Sequence, residues 1–238
     1  MSRADAFLRD PRVARVSAIV LLQYFAVEWV VSATWRGEYA YRTDTVGPLG
    51  IPFCGPQGTW PCSALYPAMN VSFVITGLAI AVIGGSWLIR RAVAVPAGGA
   101  LAIAGGALVV AGVITEKTDY PVHVTAMTVF YVFGALSCLL IGVSGPTRLP
   151  KTSRTALTIG GGVATVAYFC FAGGLTAWLG SGGTERAIIY GILVGLLVAG
   201  VAGTSAAPDR RRAGAHRAED RADADAETTE LATTPGPA

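Results

Sequence analysis

The chain has 238 residues, of which 53% are hydrophobic and only 14% are charged. A soluble domain usually carries about 25% charged residues, so this composition argues against a soluble protein and indicates a membrane protein. The formal net charge of +3 is small, and no basic stripe with interleaved aromatic residues occurs. The sequence therefore predicts no nucleic-acid partner.

Six apolar blocks follow one another along the chain. Each is roughly 17–25 residues long, which is enough for a helix to cross about 30 Å of hydrocarbon. None alternates strictly between polar and apolar residues, as the strands of a membrane barrel do. The blocks cover residues 13–35, 66–89, 95–114, 121–143, 156–179 and 187–203. We predict an all-α fold, a polytopic membrane bundle of six transmembrane helices spanning residues 13–204.

The first block has a competing interpretation as a secretory signal peptide, because residues 31–33 resemble a cleavage site. We favour a membrane span for two reasons. The block is long enough to cross a bilayer, and Gln23, Tyr24 and Glu28 interrupt it where a signal peptide should be purely apolar.

Basic residues lie in alternate connecting segments, which predicts the orientation. With six spans these segments share one side of the membrane, and the positive-inside rule identifies that side as the cytoplasm. They include residues 1–12, 90–91, 148–154 and 210–212. We therefore predict a multi-pass protein of the plasma membrane with both termini in the cytoplasm, residues 1–12 forming the cytoplasmic N-terminus.

The C-terminal tail, residues 205–238, consists mainly of Ala, Asp, Glu, Arg and Thr and has no aromatic residue. Such a segment buries too little apolar surface to fold alone, so we predict a disordered cytoplasmic tail.

Two of the four cysteines, Cys54 and Cys62, lie in the predicted outer loop, residues 36–65. An outward-facing loop meets an oxidising compartment, so we predict a Cys54–Cys62 disulfide, with two free thiols as the alternative. Cys138 and Cys170 lie within apolar blocks and are interpreted as inert small hydrophobic residues.

Several short motifs together resemble a known family. The first outer loop ends in the run from Cys62 through Asn70 to Phe73, and the third block ends in residues 112–116. His123 opens the fourth block, and residues 183–186, followed by Tyr190, precede and begin the sixth. This pattern resembles the uncharacterised six-pass bacterial membrane family catalogued as domain of unknown function 998. The resemblance implies six membrane helices and no established activity. The long first outer loop is also loosely similar to the Frag1/DRAM/Sfk1 group of lipid-linked membrane proteins.

Glu28 is the most informative single residue. It lies inside the first block, about 10 Å from the predicted outer end. An acid within a membrane span is costly, so it should face the bundle interior or a wet cavity and have a partner. It indicates either a proton, cation or headgroup site, or a buried structural acid.

Other polar residues gather at the predicted outer side. Asn70 opens the second block, where it acts as a cap or interhelical bond donor, or contacts a ligand. Glu116, Asp119 and His123 would share one face of a continuous helix and could bind a divalent metal or relay protons. Asp119 reads equally well as a helix N-cap, which would leave Glu116 outside the helix.

Glu185 and Arg186 open the sixth block, where Glu185 would complement the helix dipole. Arg186 would pair with an acid or hold an anionic headgroup. We predict an outward-facing polar pocket that includes Glu28, Asn70, Glu116, Asp119, His123, Glu185 and Arg186.

No metal site and no cofactor are predicted. Structural zinc sites use four ligands, and the predicted membrane region has a single histidine. Phosphate-binding glycine loops and the common hydrolase motifs are absent from the sequence. Gly191 and Gly195 form a GxxxG pattern in the sixth block, which favours packing within the chain, with a homodimer as the alternative.

Three functions remain open. The first is a noncatalytic protein that binds membrane lipid or a small amphiphile, with Glu28, His123 and Arg186 as polar contacts. The second is a small proton-coupled transporter in which Glu28 titrates. The third is a membrane enzyme acting on lipid, with His123 and Glu116 or Asp119 as acid–base groups; whether the protein is an enzyme stays open.

Overall fold

The computed structural model describes residues 3–51, 62–144 and 147–203, and the regular structure of these residues is helical. An isolated β-bridge joins Trp35 and Ser63 at the two ends of the outer loop. The helices are α1 (Arg3–Arg9), α2 (Pro11–Val20), α3 (Leu22–Ala33), a 3-10 helix (Gly47–Gly50), α4 (Tyr66–Ile89), α5 (Val95–Val113), α6 (Tyr120–Val143), α7 (Lys151–Ala172) and α8 (Gly180–Ala202).

Six segments are long and apolar enough to cross a membrane, which confirms the predicted number of spans. Helices α2 and α3 together form the first span, Pro11–Ala33, and each of α4 to α8 forms one further span. An even number of spans leaves both ends of the bundle on one membrane face. Which face is cytoplasmic stays a prediction, and the tail, residues 205–238, lies outside the described residues.

The predicted bounds of the last two spans were wrong. Helix α7 ends at Ala172, seven residues before the predicted end, and α8 begins at Gly180, seven residues before the predicted start. Gly174 and Gly180 adopt φ values of +71° and +75°, which L side chains rarely adopt, and they bound the connection between the two helices. Leu175 and Trp178 in this connection are exposed and apolar. The fifth block was therefore predicted to extend too far, because residues that connect the two helices are themselves apolar.

Neighbouring spans pack in chain order from α4 to α8, and α2 closes the bundle by packing on both α4 and α8. Small residues allow the closest approaches. A Cβ atom added to Gly105 on α5 would lie 2.5 Å from the carbonyl oxygen of Gly77 on α4. One added to Gly191 on α8 would lie 2.6 Å from the carbonyl oxygen of Gly160 on α7. These glycines bring the backbones of adjacent helices into contact.

The Gly191 and Gly195 face of α8 thus packs against α7 within the chain, since Gly195 also lies beside Ala156 and Leu157. A homodimer through this face stays a prediction.

Candidate functional site

The first outer loop folds back onto the start of α8. Ser181 Oγ donates to the carbonyl oxygen of Thr43 at 2.6 Å, and the Gly183 backbone N–H donates to that of Arg42 at 3.1 Å. Gly182 approaches the backbone of Asp44 so closely that a Cβ atom there would overlap it. The first turn of α8 therefore needs small residues, and the loop lies against the turn that presents Glu185 and Arg186.

Arg186 forms a buried ion pair with Glu28. Its Nε donates to Glu28 Oε1 at 2.6 Å, and the two side chains are 6% and 1% exposed. Tyr190, one turn later on α8, donates its hydroxyl to Glu28 Oε2 at 2.9 Å. Both carboxylate oxygens of Glu28 are thus bonded, and α3 is connected to α8 across the bundle.

The rest of the Arg186 guanidinium holds the outer loop in place. Nη1 donates to the carbonyl oxygens of Tyr41 at 3.0 Å, Asp44 at 2.8 Å and Gly182 at 3.0 Å. Nη2 donates to the Tyr39 hydroxyl. The guanidinium carbon also lies 5.5 Å and 4.8 Å from the ring centroids of Tyr39 and Tyr41, within the range of cation–π attraction. Burial raises the pKa of the Tyr39 hydroxyl, and the nearby Arg186 guanidinium partly offsets this rise.

Glu185, the residue before Arg186, has a separate set of partners. Its Oε2 accepts from the Val46 backbone N–H at 2.6 Å, and its Oε1 accepts from the Tyr131 hydroxyl at 2.6 Å. Glu185 is the sixth residue of α8 and is 5% exposed. The prediction that it opens the helix and complements the dipole there was wrong, because α8 begins earlier and the dipole acts within the first turn.

A cavity of about 280 Å³ lies beside Glu185, between the start of α6 and the end of α7. Three ionisable side chains that the sequence singled out, Glu116, His123 and Glu185, line it together. Most of the remaining wall is aromatic or apolar. Those residues are Tyr120, Val124, Met127, Tyr131, Tyr168, Phe171 and Ala172, together with Thr45 and Thr128.

His123 is oriented by the end of α5. Its Nδ1 lies 3.0 Å from the carbonyl oxygen of Ala111 and 2.8 Å from that of Ile114. Carbonyl oxygens only accept, so Nδ1 carries a proton. The other ring nitrogen, Nε2, is buried and has no hydrogen-bond partner among the described residues.

Glu116 lies in the connection between α5 and α6, over the 3-10 helix. A Cβ atom on Gly47 would overlap the Glu116 carboxylate, so glycine at this position makes room for the acid. Burial raises the pKa of Glu116, and His123 nearby partly offsets the rise. Glu116 lies outside α6 but lines the same cavity as His123.

Asp119 and Asn70 have structural contacts. Asp119 is the N-cap of α6, and its side chain accepts from the Val122 backbone N–H at 3.1 Å. Asn70 Nδ2 donates to the carbonyl oxygen of Gly50 at 2.9 Å, which joins α4 to the 3-10 helix. Within the described ranges no group of three potential metal ligands occurs.

The predicted Cys54–Cys62 disulfide stays a prediction, because Cys54 lies outside the described residues. Cys62 is buried, and its carbonyl oxygen accepts from the Arg36 backbone N–H at 2.7 Å. Cys138 and Cys170 are free thiols.

Comparison with known proteins identifies the family. A family model described as "Protein of unknown function (DUF998)" matches residues 17–202, which include all the site residues described above. The chain belongs to the DUF998 family. No curated protein and no solved structure matches it. DUF998 membership agrees with the resemblance found in the sequence, and the similarity to the Frag1/DRAM/Sfk1 group stays a prediction.

Sequence reasoning missed the tyrosines that complete this DUF998 site. Tyr39 and Tyr41 contact Arg186, and Tyr131 and Tyr168 line the cavity. Tyr131 and Tyr168 lie within apolar blocks, where a tyrosine is an ordinary packing residue. A usable signal was the position of Tyr131, which lies eight residues after His123 and hence on the same face of α6.

Proposed function

We propose that this membrane protein binds the polar end of a lipid or small amphiphile in the cavity between α6 and α7. The observation that carries the proposal is a cavity lined by two glutamates and by His123, whose buried Nε2 has no hydrogen-bond partner among the described residues. Buried polar atoms in native proteins are nearly always hydrogen-bonded, so an unpaired one on a residue that lines a cavity supports a ligand as its partner.

The location of the cavity favours an amphiphile over a fully water-soluble ligand. Tyr120 and Val124 at its edge are 62% and 38% exposed, and both belong to the first turns of the α6 span. In a bilayer such positions contact the interface and the outer part of the hydrocarbon. A ligand can therefore place its polar end in the cavity and leave its chain between lipids.

The alternatives have less support. A carrier that titrates Glu28 requires a carboxylate that gains and loses protons, yet both Glu28 oxygens accept bonds from Arg186 and Tyr190. An enzyme acting on lipid would have to pair His123 with Glu116, which lines the same cavity, because the Asp119 side chain caps α6. In this proposal Glu28 and Arg186 do not contact the ligand. They stabilise the cavity indirectly, because Arg186 holds the loop that contains Val46, and the Val46 backbone N–H positions Glu185.

Native mass spectrometry of the protein in mild detergent tests the proposal. Thr128→Trp fills the cavity, and Thr125→Trp on the same helix is the matched control, since Thr125 is exposed and lies outside the cavity. We expect a discrete retained mass in the wild type and in Thr125→Trp, and none in Thr128→Trp. Retention by all three proteins, or by none, would contradict the proposal.

A further inference from the structure

The polar groups that line the cavity can all accept hydrogen bonds, and the hydroxyls of Thr45, Thr128, Tyr120 and Tyr168 can also donate. An ionised carboxylate only accepts hydrogen bonds, and a bound cation favours that form of Glu116 and Glu185. Nδ1 of His123 carries its proton toward two carbonyl oxygens, so in the neutral ring Nε2 presents a lone pair. The Tyr131 hydroxyl donates its hydrogen bond to Glu185, so only its oxygen lone pairs remain for other partners.

The hydrogen bonds of Arg186, the cation next to Glu185 in sequence, are directed away from Glu185. Its guanidinium is bonded to Glu28, to three carbonyl oxygens and to Tyr39. Val46 and Tyr131 donate to Glu185 as neutral groups. Two glutamates therefore line a cavity together with the aromatic rings of Tyr120, Tyr131, Tyr168 and Phe171, a combination that attracts cations.

We propose that the cavity selects a primary ammonium group carried on an apolar chain. This inference rests on the proposed function and specifies its ligand. An ammonium supplies three N–H donors and one positive charge, which match the acceptors of Glu116, His123 and Glu185. A quaternary ammonium has the charge without the donors, and an anionic head would meet two carboxylates.

The dimensions agree with a headgroup. A cavity of about 280 Å³ is at or below the lower end of the roughly 300–1,000 Å³ common for sites that enclose a whole small molecule. It therefore accommodates an ammonium and a few carbons while the rest of the chain lies outside along α6. Lipids with an amino headgroup and free long-chain amines share this chemistry.

A series of probes with one chain and four heads tests the inference on the unmodified protein. Decylammonium, decyltrimethylammonium, decanol and decyl sulfate are titrated by calorimetry into the protein in a nonionic detergent. We expect decylammonium to bind at least about tenfold more tightly than decyltrimethylammonium, since hydrogen bonds to charged groups are lost in the latter. Decyl sulfate should not bind.

Two glutamate-to-glutamine variants, one inside the cavity and one outside it, extend the test. Glu116→Gln removes one cavity carboxylate, whereas Glu38→Gln removes an exposed carboxylate of the loop between α3 and α4, outside the cavity. We expect Glu116→Gln to weaken decylammonium binding about tenfold and to leave decanol binding unchanged. Glu38→Gln should change neither.

The outcomes separate the two proposals. Equal binding of all four probes, abolished by Thr128→Trp, would overturn the ammonium inference and leave the amphiphile site intact. Binding of none of them, together with no retained lipid, would overturn both. Retention of phosphatidylethanolamine from nanodiscs, displaced by decylammonium, supports the inference with a lipid headgroup as the source. Selective decylammonium binding without such retention supports it with a free amine as the source.

Discussion

Removing Arg186 should destabilise the protein more than removing Glu28. In Glu28→Leu the guanidinium keeps its bonds to three carbonyl oxygens and to Tyr39. In Arg186→Leu a carboxylate that is 1% exposed keeps only the Tyr190 hydroxyl, and the outer loop loses its anchor as well. The cost therefore differs between the two halves of one ion pair.

Breaking a buried pair by removing one partner costs about 3–5 kcal/mol. We expect Glu28→Leu to lower the free energy of unfolding by about 3 kcal/mol, because the arginine retains acceptors. Arg186→Leu should lower it by about 5 kcal/mol. The double variant removes both charges and should cost only about 1–3 kcal/mol, mainly from carbonyl oxygens left without a donor. The single effects are thus strongly non-additive.

Reversible unfolding in mixed micelles, followed by tryptophan fluorescence, measures these free energies. Arg42→Leu is the matched control, because Arg42 is exposed and donates to the Ala177 carbonyl oxygen at 3.0 Å. It should change the free energy of unfolding by less than about 1 kcal/mol. Additive effects of Glu28→Leu and Arg186→Leu, or a larger cost for Glu28→Leu, would refute the reasoning.

Three further predictions concern other parts of the fold. Gly191→Ala should destabilise the protein by about 1–3 kcal/mol in the same unfolding assay, because the new Cβ would lie 2.6 Å from the Gly160 carbonyl oxygen; Gly162→Ala, with nothing within 4 Å, should be neutral or stabilising. Because burial raises the pKa of Glu116, the folded protein binds more protons than the unfolded one above the ordinary glutamate pKa of about 4.3. The free energy of unfolding should therefore fall as pH rises from that value through the raised pKa, and Glu116→Gln should flatten this part of the profile, whereas an unchanged profile would contradict the assigned burial. Asp119→Ala should cost about 0.5–2 kcal/mol through loss of the α6 cap, with Asp119→Asn close to the wild type; equal losses in both would argue against capping.

The number and type of spans could be predicted from the sequence because apolar length alone decides them. The second span was predicted at residues 66–89 and observed at Tyr66–Ile89, bounded by Arg90. The ends of α7 and α8 could not be predicted in the same way. Trp178 and Leu179 are as apolar as a span but follow a glycine pair that ends the helix, and the first turn of α8 is polar because it packs on the outer loop.

The sequence predicted several residues of the site but not which of them contact one another. Glu28 was expected to have a partner, and Arg186 was expected to pair with an acid, but no spacing connects residues on the first and last spans. Glu116 and His123 were expected to share a helix face. They line one cavity for a different reason, since the loop before α6 turns Glu116 toward the 3-10 helix. Only the packing of the spans brings Glu185 to the same cavity.

The Glu28–Arg186 pair also has a consequence for biosynthesis. The partners are separated by 158 residues, so Glu28 enters the membrane with the first span long before Arg186 is translated. At about 5–20 residues per second, synthesis of the intervening chain takes roughly 8–32 s. During that interval the first span carries an acid without its final partner, in a solvent that penalises charge. Every insertion intermediate therefore contains this acid without its ion-pair partner, and the pair forms only once the last span has been made.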